Sequence, residues 1–380
     1  MMAVTRADDS TLGRWWWTVD RLTLGALFLL VAIGFVLMLA ASPSVAERIG
    51  AASRHAFIGK QVFFLAVACA LMVGVSLLSP RQVRILALLG CAGALLLTAA
   101  TLVIGPEVKG ARRWLPLPGF QLQPSEFLKP CLAVTCAWLI ALGRRPGSRF
   151  PGALAACGLF AVAAALLKLQ PDVGMLMVIA AVLASQLFVN GLNMFAVVAM
   201  GGAGVALFGA AYALLPHVQS RVHRFLDPNA GDNYQVEVAM EAFGNGGLLG
   251  RGPGEGRIKT VLPDAHADFV FAVAGEEFGF ILCLILIGIF AFVVVRGLVK
   301  LLPETDRFTL IAATGLLTQF GLQAFVNMAS SLHLIPTKGM TLPFISYGGS
   351  SVLAIALGMG FLLALTRRRT GPTGRSESDA

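Results

Sequence analysis

The feature that most constrains this chain is a series of apolar runs, each near the ~20 residues needed to cross hydrocarbon as a helix. Ten such runs lie near 22–44, 60–79, 85–104, 125–142, 152–169, 173–190, 194–215, 269–295, 308–328 and 347–366. Of the 380 residues 57% are hydrophobic and 13% charged, against about 25% charged in a soluble domain. A fold surrounded by water cannot hide that much apolar surface, so lipid must be its solvent. A soluble enzyme, a disordered chain and a secreted disulfide scaffold are thereby excluded. The expectation is an all-α, polytopic membrane protein of about ten transmembrane helices, with a long outer loop, 216–268, between spans 7 and 8.

The net charge of +9 does not point to nucleic acid, because the basic residues are scattered between apolar runs and form no stripe. Cys69, Cys91, Cys131, Cys136, Cys157 and Cys283 lie in or beside apolar runs without metal-ligand spacing, and read as small buried hydrophobes. The first run is too long for a cleavable signal peptide, and no cleavage site is evident. An even number of spans puts both ends on one side. Arg367, Arg368 and Arg369 directly follow the last span and argue for a cytoplasmic C-terminus. Residues 1–21 then form a cytoplasmic segment, in which Arg14 and Arg21 flank the interfacial Trp15, Trp16 and Trp17. Residues 22–366 form one transmembrane domain, and 367–380 a cytoplasmic tail. Basic residues divide almost evenly between the two sides, whereas most acids fall outside. An outer surface mixing both signs beside bilayer suits a ligand with anionic and hydroxyl-rich parts; ordinary solvated loops are the alternative.

Four segments carry unusual polar residues. In the first, 105–129, Arg112, Arg113 and Trp114 can bind phosphate and a sugar face, since guanidinium forks match phosphate oxygens; an interfacial anchor is the alternative. Pro124 suits a first helical turn. Glu126 and Lys129, three residues apart, share a helix face at or within the membrane, where ionisable groups are rare and usually functional; a structural ion pair is the alternative. The second segment, Lys168 to Gly174, places Asp172 in a break too short to reach bulk water easily, as a functional carboxylate or a helix cap. The third is the long loop, with Arg221, His223, Arg224 and a glycine-rich run, 244–256, that fits neither dinucleotide nor P-loop spacing. Those glycines suit a tightly turned or mobile backbone able to approach a ligand. The loop ends in Asp264, His266 and Asp268, the last where polar chain gives way to the eighth span. Partial desolvation there would raise a carboxyl from its usual pKa of about 3.9 and make it a better base, whereas the following helix dipole acts the other way. Helix capping is again the alternative. The fourth segment, 327–351, contains Lys338, Ser346 and Ser350. Hydroxyls and backbone N–H groups at a helix start can hold phosphate, and Lys338 adds a point charge; a re-entrant loop buried in protein is the alternative.

These segments, in this order, resemble the SEDS family, the FtsW/RodA/SpoVE membrane proteins of bacterial wall synthesis. The residues carrying the resemblance are RRWL at 112–115, QPSEFLK at 123–129, QPDVG at 170–174, LPDAHADFVFAVAGEE at 262–277 and PTKGMTLPFISYGGSS at 336–351. GRGPGEGRIK and PTKGMTLPF look closer to the division branch than to the elongation branch. Ala267 and Met175 stand where threonine is usual, and neither change removes a charge.

The resemblance implies ten spans and a peptidoglycan glycosyltransferase that polymerises lipid II, an undecaprenyl-diphosphate-linked disaccharide peptide, on the outer face of the bacterial inner membrane. It carries over an essential aspartate to Asp268, the outer Arg-Trp pair to Arg113 and Trp114, the acid and base of QPSExxK to Glu126 and Lys129, and the QPD aspartate to Asp172. The expected catalytic set is therefore Asp268, as general base, with Glu126 and Lys129. The expected binding set is Arg112, Arg113, Trp114, Asp172, Arg221, Arg224, His266, Lys338, Ser346 and Ser350. Mg²⁺ or Mn²⁺, with Asp268 as one ligand, could assist the diphosphate. Expected partners are lipid II and nascent glycan, a class B penicillin-binding transpeptidase and other divisome membrane proteins at the septum. A lipid II flippase would need polar residues reaching both faces, and a non-catalytic divisome scaffold would leave the intramembrane acids without a task. Gathering of the polar residues on one side favours the enzyme.

Overall fold

The computed structural model describes residues 10–48, 56–108, 110–118, 120–214, 216–226, 234–262, 264–336 and 339–368. The chain runs α1 (Thr11–Thr18), α2 (Arg21–Arg48), α3 (Ala56–Ser76), α4 (Pro80–Ile104), β1 (Leu115–Leu117), β2 (Phe120–Leu122), α5 (Pro124–Gly143), α6 (Gly152–Leu169), α7 (Val173–Val189), α8 (Met194–Leu214), α9 (Pro216–Leu226), α10 (Tyr234–Gly246), α11 (Val270–Leu301), α12 (Arg307–Ser331) and α13 (Gly349–Leu365). Each of the ten apolar runs coincides with a helix, so the all-α, polytopic expectation holds. Seven of the described helices (α2 to α6, α11 and α12) are long and apolar enough to cross a membrane; α7 and α13 are shorter apolar helices.

Local chemistry sets the helix starts. Ser79 and Gln82 form a reciprocal capping box on α4, whose first residue is Pro80. Pro124 opens α5 as its spacing suggested. Asp172 caps α7 by accepting from the Met175 N–H at 3.2 Å. Asp306 caps α12 through the Thr309 N–H at 3.0 Å.

The centre of the bundle is α5, which packs against α4, α6, α7, α12 and α13. Polar side chains mark this centre, because a helix with Gln, Asn, Ser and Lys on its flanks can lie among lipid only if other helices cover them. Accordingly Gln319, Gln323, Asn327, Ser330 and Ser331 of α12 and Ser125, Glu126 and Lys129 of α5 are all buried. Gln186 of α7 stitches the same layer by donating to the Ala133 carbonyl of α5 at 2.7 Å and the Ile311 carbonyl of α12 at 3.4 Å. Leu89 and Leu96 of α4 and Leu154 of α6 instead turn outward, as lipid-facing residues should.

Two features are finer than the sequence reading. The stretch 216–268 is not a plain loop: it holds α9, α10 and a 3-10 turn at Ile258–Thr260, with α10 packed on α11. A two-stranded hairpin, Leu115 opposite Leu122, leads into α5. At the other end of the bundle, Asp20 is held by Arg296 (2.8 and 2.9 Å), Lys300 (3.0 Å) and Thr23 (2.6 Å). The Trp15 indole donates to Ser76 Oγ there at 2.8 Å, and Arg21 lies over the Trp16 and Trp17 rings.

Candidate functional site

α11 is two helices joined at Gly279, whose φ of 78° breaks the hydrogen-bond ladder. The glycine-rich segment repairs the break, backbone to backbone. Phe280 and Ile281 donate to the carbonyls of Gly247 and Leu248, while Arg251 and Gly252 donate to those of Glu276 and Glu277. Irregular backbone at membrane depth persists only when protein supplies its partners. The approach is close enough that a Cβ on Gly250 (φ 81°) would fall 2.2 Å from the Glu277 carbonyl oxygen. Gly246 and Gly250 therefore lie against a helix backbone, and positive φ at Gly247, Gly250, Gly252 and Gly254 makes this the tightly turned of the two backbones that the sequence suggested.

Side chains lock the same junction. Lys259 and Glu277 meet at 2.6 Å with 8% and 0% of their side chains exposed. The Lys259 ammonium also donates to the carbonyls of Gly254 (2.7 Å) and Ala40 (3.0 Å), the latter in α2. Glu277 accepts from the Gly254 N–H, and Glu276 from those of Arg257 and Ile258. Sequence reasoning did not name Lys259, Glu276 or Glu277 as site residues. The available signal was two acids inside an apolar run, following a lone lysine by eighteen residues.

The buttressed half-helix begins immediately after Asp268. Asp268 is half-buried, and the N-cap position of α11 is the next residue, Phe269. The Asp268 N–H donates to the Asp264 carbonyl at 3.0 Å, closing a turn whose first residue has a φ of 52°. The Asp268 carbonyl accepts from Asn327 Nδ2 at 2.9 Å, and the same nitrogen donates to the Met340 carbonyl at 2.6 Å. Gly339 passes so close that a Cβ there would sit 3.1 Å from Asp268 Oδ2. His266 stacks obliquely on Tyr347, whose N–H donates to the His266 carbonyl at 2.9 Å. The third and fourth segments of the sequence thus form one site around Asp268.

Ser346 and Ser350 do different work from the phosphate binding expected of them. Ser346 is fully buried and accepts from the Leu342 N–H at 2.7 Å. Ser350 accepts from the Gln123 N–H at 3.0 Å and donates to the Gln121 carbonyl at 3.1 Å, tying the hairpin to the start of α13.

Glu126 and Lys129 form the expected pair at 2.9 Å inside the bundle, with 12% and 2% of their side chains exposed. Lys129 also donates to Gln323 Oε1 at 2.9 Å.

Arg113 spends its fork on the second segment. It donates to the carbonyls of Gln170 (3.0 Å) and Pro171 (2.7 Å) and lies 3.5 Å from Asp172. Gln170 reaches back to Thr101 at 2.6 Å and to the Arg112 carbonyl at 3.3 Å. Arg112 is the freer of the two, 48% exposed and 3.7 Å from Glu107. Trp114 is half-buried. Lys338 and the side chains of Arg221 and Arg224 lie outside the described residues.

Among the described residues no three His, Cys, Asp or Glu side chains gather in a group that could hold a metal ion. The arrangement is a carboxylate on a rigid backbone, with an exposed arginine elsewhere on the loop-bearing end. A carboxylate so placed suits proton abstraction from a hydroxyl.

Comparisons with known proteins bear on what such a site does. The FtsW/RodA/SpoVE family model, described as cell cycle protein, matches residues 20–371. A relative from Caulobacter vibrioides, named a probable peptidoglycan glycosyltransferase FtsW, is 46% identical over 374 residues, covering 98% of this chain and 96% of the relative. A protein of the same name from Geobacter metallireducens is 36% identical, covering 83% and 86%. Among solved structures, one described as structural coordination of polymerization and crosslinking by a peptidoglycan synthase complex has a TM-score of 0.76 at 29% identity, covering 92% of this chain and 98% of that one. The Thermus thermophilus rod shape determining protein RodA has a TM-score of 0.66 at 28% identity, covering 92% and 97%.

Proposed function

This chain belongs to the FtsW/RodA/SpoVE family and is a multi-pass membrane peptidoglycan glycosyltransferase, and we propose that Asp268 is its general base. The supporting observation is the hold on Asp268: its carbonyl is tied to Asn327, Gly339 lies against its carboxylate, and the half-helix behind it is locked by Glu276, Glu277 and Lys259. A base must be placed before it can be effective, and this one sits on backbone with little freedom.

In the proposed reaction the donor is a lipid-diphosphate-linked saccharide, lipid II or the nascent glycan, and the acceptor a sugar hydroxyl. Asp268 takes the hydroxyl proton as the oxygen bonds to the donor's anomeric carbon. The bond from that carbon to the diphosphate oxygen breaks, and the lipid diphosphate leaves with the electron pair. Arg112 is the described arginine with the freer head for that charge, and Lys338, Arg221 and Arg224 are further candidates. Arg113 and Asp172 brace the outer loop, His266 and Trp114 offer ring faces for sugar, and Glu126 and Lys129 support the site from within. Ser346 and Ser350 hold the loop leading into α13.

The same reading puts both termini in the cytoplasm, residues 216–268 in the periplasm and the protein at the division septum. Its partners would be a class B penicillin-binding transpeptidase and other divisome proteins. The test is polymerisation of purified lipid II by the full chain with its transpeptidase. Asp268→Asn should keep the complex and lose detectable polymer, since general-base help is worth about 10²–10⁴-fold. A fully active Asp268→Asn removes Asp268 as base.

A further inference from the structure

Gln323 takes no part in the reaction just described, yet its side chain lies between the buried ion pair and the loop beside Asp268. It is 1% exposed. Its Oε1 accepts from Lys129 Nζ at 2.9 Å, and its Nε2 donates to both the carbonyl and the hydroxyl of Thr341 at 3.2 Å. The Thr341 hydroxyl is hydrogen-bonded in turn to Ser351 at the start of α13. Thr341 is two residues past Gly339, which lies against the Asp268 carboxylate. One turn further along α12, Asn327 grips the Met340 and Asp268 carbonyls together.

The chemistry of the pair fixes which way the amide points. An ammonium only donates, so it must meet the amide oxygen. The amide nitrogen is then forced toward Thr341, which presents a carbonyl there. Without the Lys129 ammonium the amide oxygen loses its donor and only the Thr341 carbonyl still orients the amide, so the Gln323 side chain is held at one end instead of two. The ion pair thereby acts on the loop through Gln323.

Resting on the reading of Asp268 as the base, we propose that Gln323 is a positioning residue through which the Glu126–Lys129 pair holds residues 339–341, and with them the Asp268 carboxylate, in working geometry. Gln323→Glu separates this role from general packing. It keeps an acceptor for Lys129 but places an oxygen where Thr341 requires a donor. Gln323→Leu removes both contacts at similar volume, and Lys129→Met removes the donor that sets the orientation.

The experiment measures two things on the full chain in nanodiscs: amide hydrogen exchange of residues 339–348 without substrate, and kcat and KM for lipid II polymerisation with the transpeptidase present. Each of the three variants should speed exchange in 339–348, and each should lower kcat by about tenfold or more while KM stays within about twofold. Lys129→Met combined with Gln323→Leu should be no worse than the more damaged single variant, because both break one connection. Wild-type exchange in 339–348 for Gln323→Glu, or a multiplicative loss in the double variant, would overturn the proposal. If Gln323→Leu fails to fold, Gln323→Glu, which leaves the ion pair's partners in place, decides the matter. If the wild-type chain makes no polymer, the glycosyltransferase reading fails separately, and the exchange data still judge the connection.

Discussion

Replacing Lys259 by methionine should release the glycine-rich segment from the break in α11. The substitution roughly preserves volume but strands Glu277, whose side chain is 0% exposed and, among the described residues, is left with the Gly254 N–H. It also deprives the Gly254 and Ala40 carbonyls of a donor. Removing one member of a buried ion pair costs about 3–5 kcal/mol, mostly because the other charge stays buried without its partner. With tenfold per ~1.4 kcal/mol, the open population of the segment should rise by roughly a hundred- to a few-thousandfold. Adding Glu277→Gln removes the stranded charge, so the double variant should recover most of the loss. Amide exchange over 250–262 is the assay, since this stretch contains the N–H groups of Arg251, Gly252, Gly254, Arg257 and Ile258, which dock on Glu276 and Glu277. Unchanged exchange in Lys259→Met would refute the reasoning, as would a double variant that opens more than the single one. Either result would mean that backbone contacts alone carry the junction.

Two further expectations follow from contacts elsewhere. Gly339→Ala sets a methyl 3.1 Å from Asp268 Oδ2, so the carboxylate or the loop must give by a few tenths of an ångström; kcat should fall by about tenfold with the thermal midpoint unchanged, and full activity would show that this approach is not needed. Burial disfavours the charged form of Asp20, yet hydrogen bonds from Arg296, Thr23 and Lys300 outweigh it and hold the carboxyl well below the usual carboxylate range. A depressed folded-state pKa gives stability that is fully present above the unfolded value of about 3.9 and is lost as pH falls through the folded one. The gap in thermal midpoint between wild type and Asp20→Asn should thus be constant from about pH 5 to 8 and close only in stronger acid; closure near pH 6 would contradict it.

The legibility of the site varied from residue to residue for identifiable reasons. Glu126 and Lys129 were readable as a pair because three-residue spacing puts them on one helix face, and that contact is local. Asp172 was readable as an acid in a short break, with capping and function both open; the structure has it capping α7 while facing Arg113. Asp268 was readable from its place at the edge of a span, but its hold by Asn327 and Gly339 was not, because those partners are 59 and 71 residues away. Ser346 and Ser350 looked like phosphate ligands from their position at a helix start; their hydroxyls instead satisfy backbone groups brought to them by other elements. The glycine-rich stretch was legible as unusual backbone, while what it approaches depended on a break in a helix that begins 20 residues after Gly250.

Composition and periodicity were sufficient for the membrane solvent, the ten helices and the segments rich in polar residues, because hydrocarbon rewards apolar runs wherever they fall in the chain. Which polar groups meet was decided only by packing. Lys259 joins Glu277 and the Ala40 carbonyl of α2, and Gln323 joins Lys129 to Thr341, because a buried donor or charge must find its partner among whatever neighbouring helices present, at any separation in sequence.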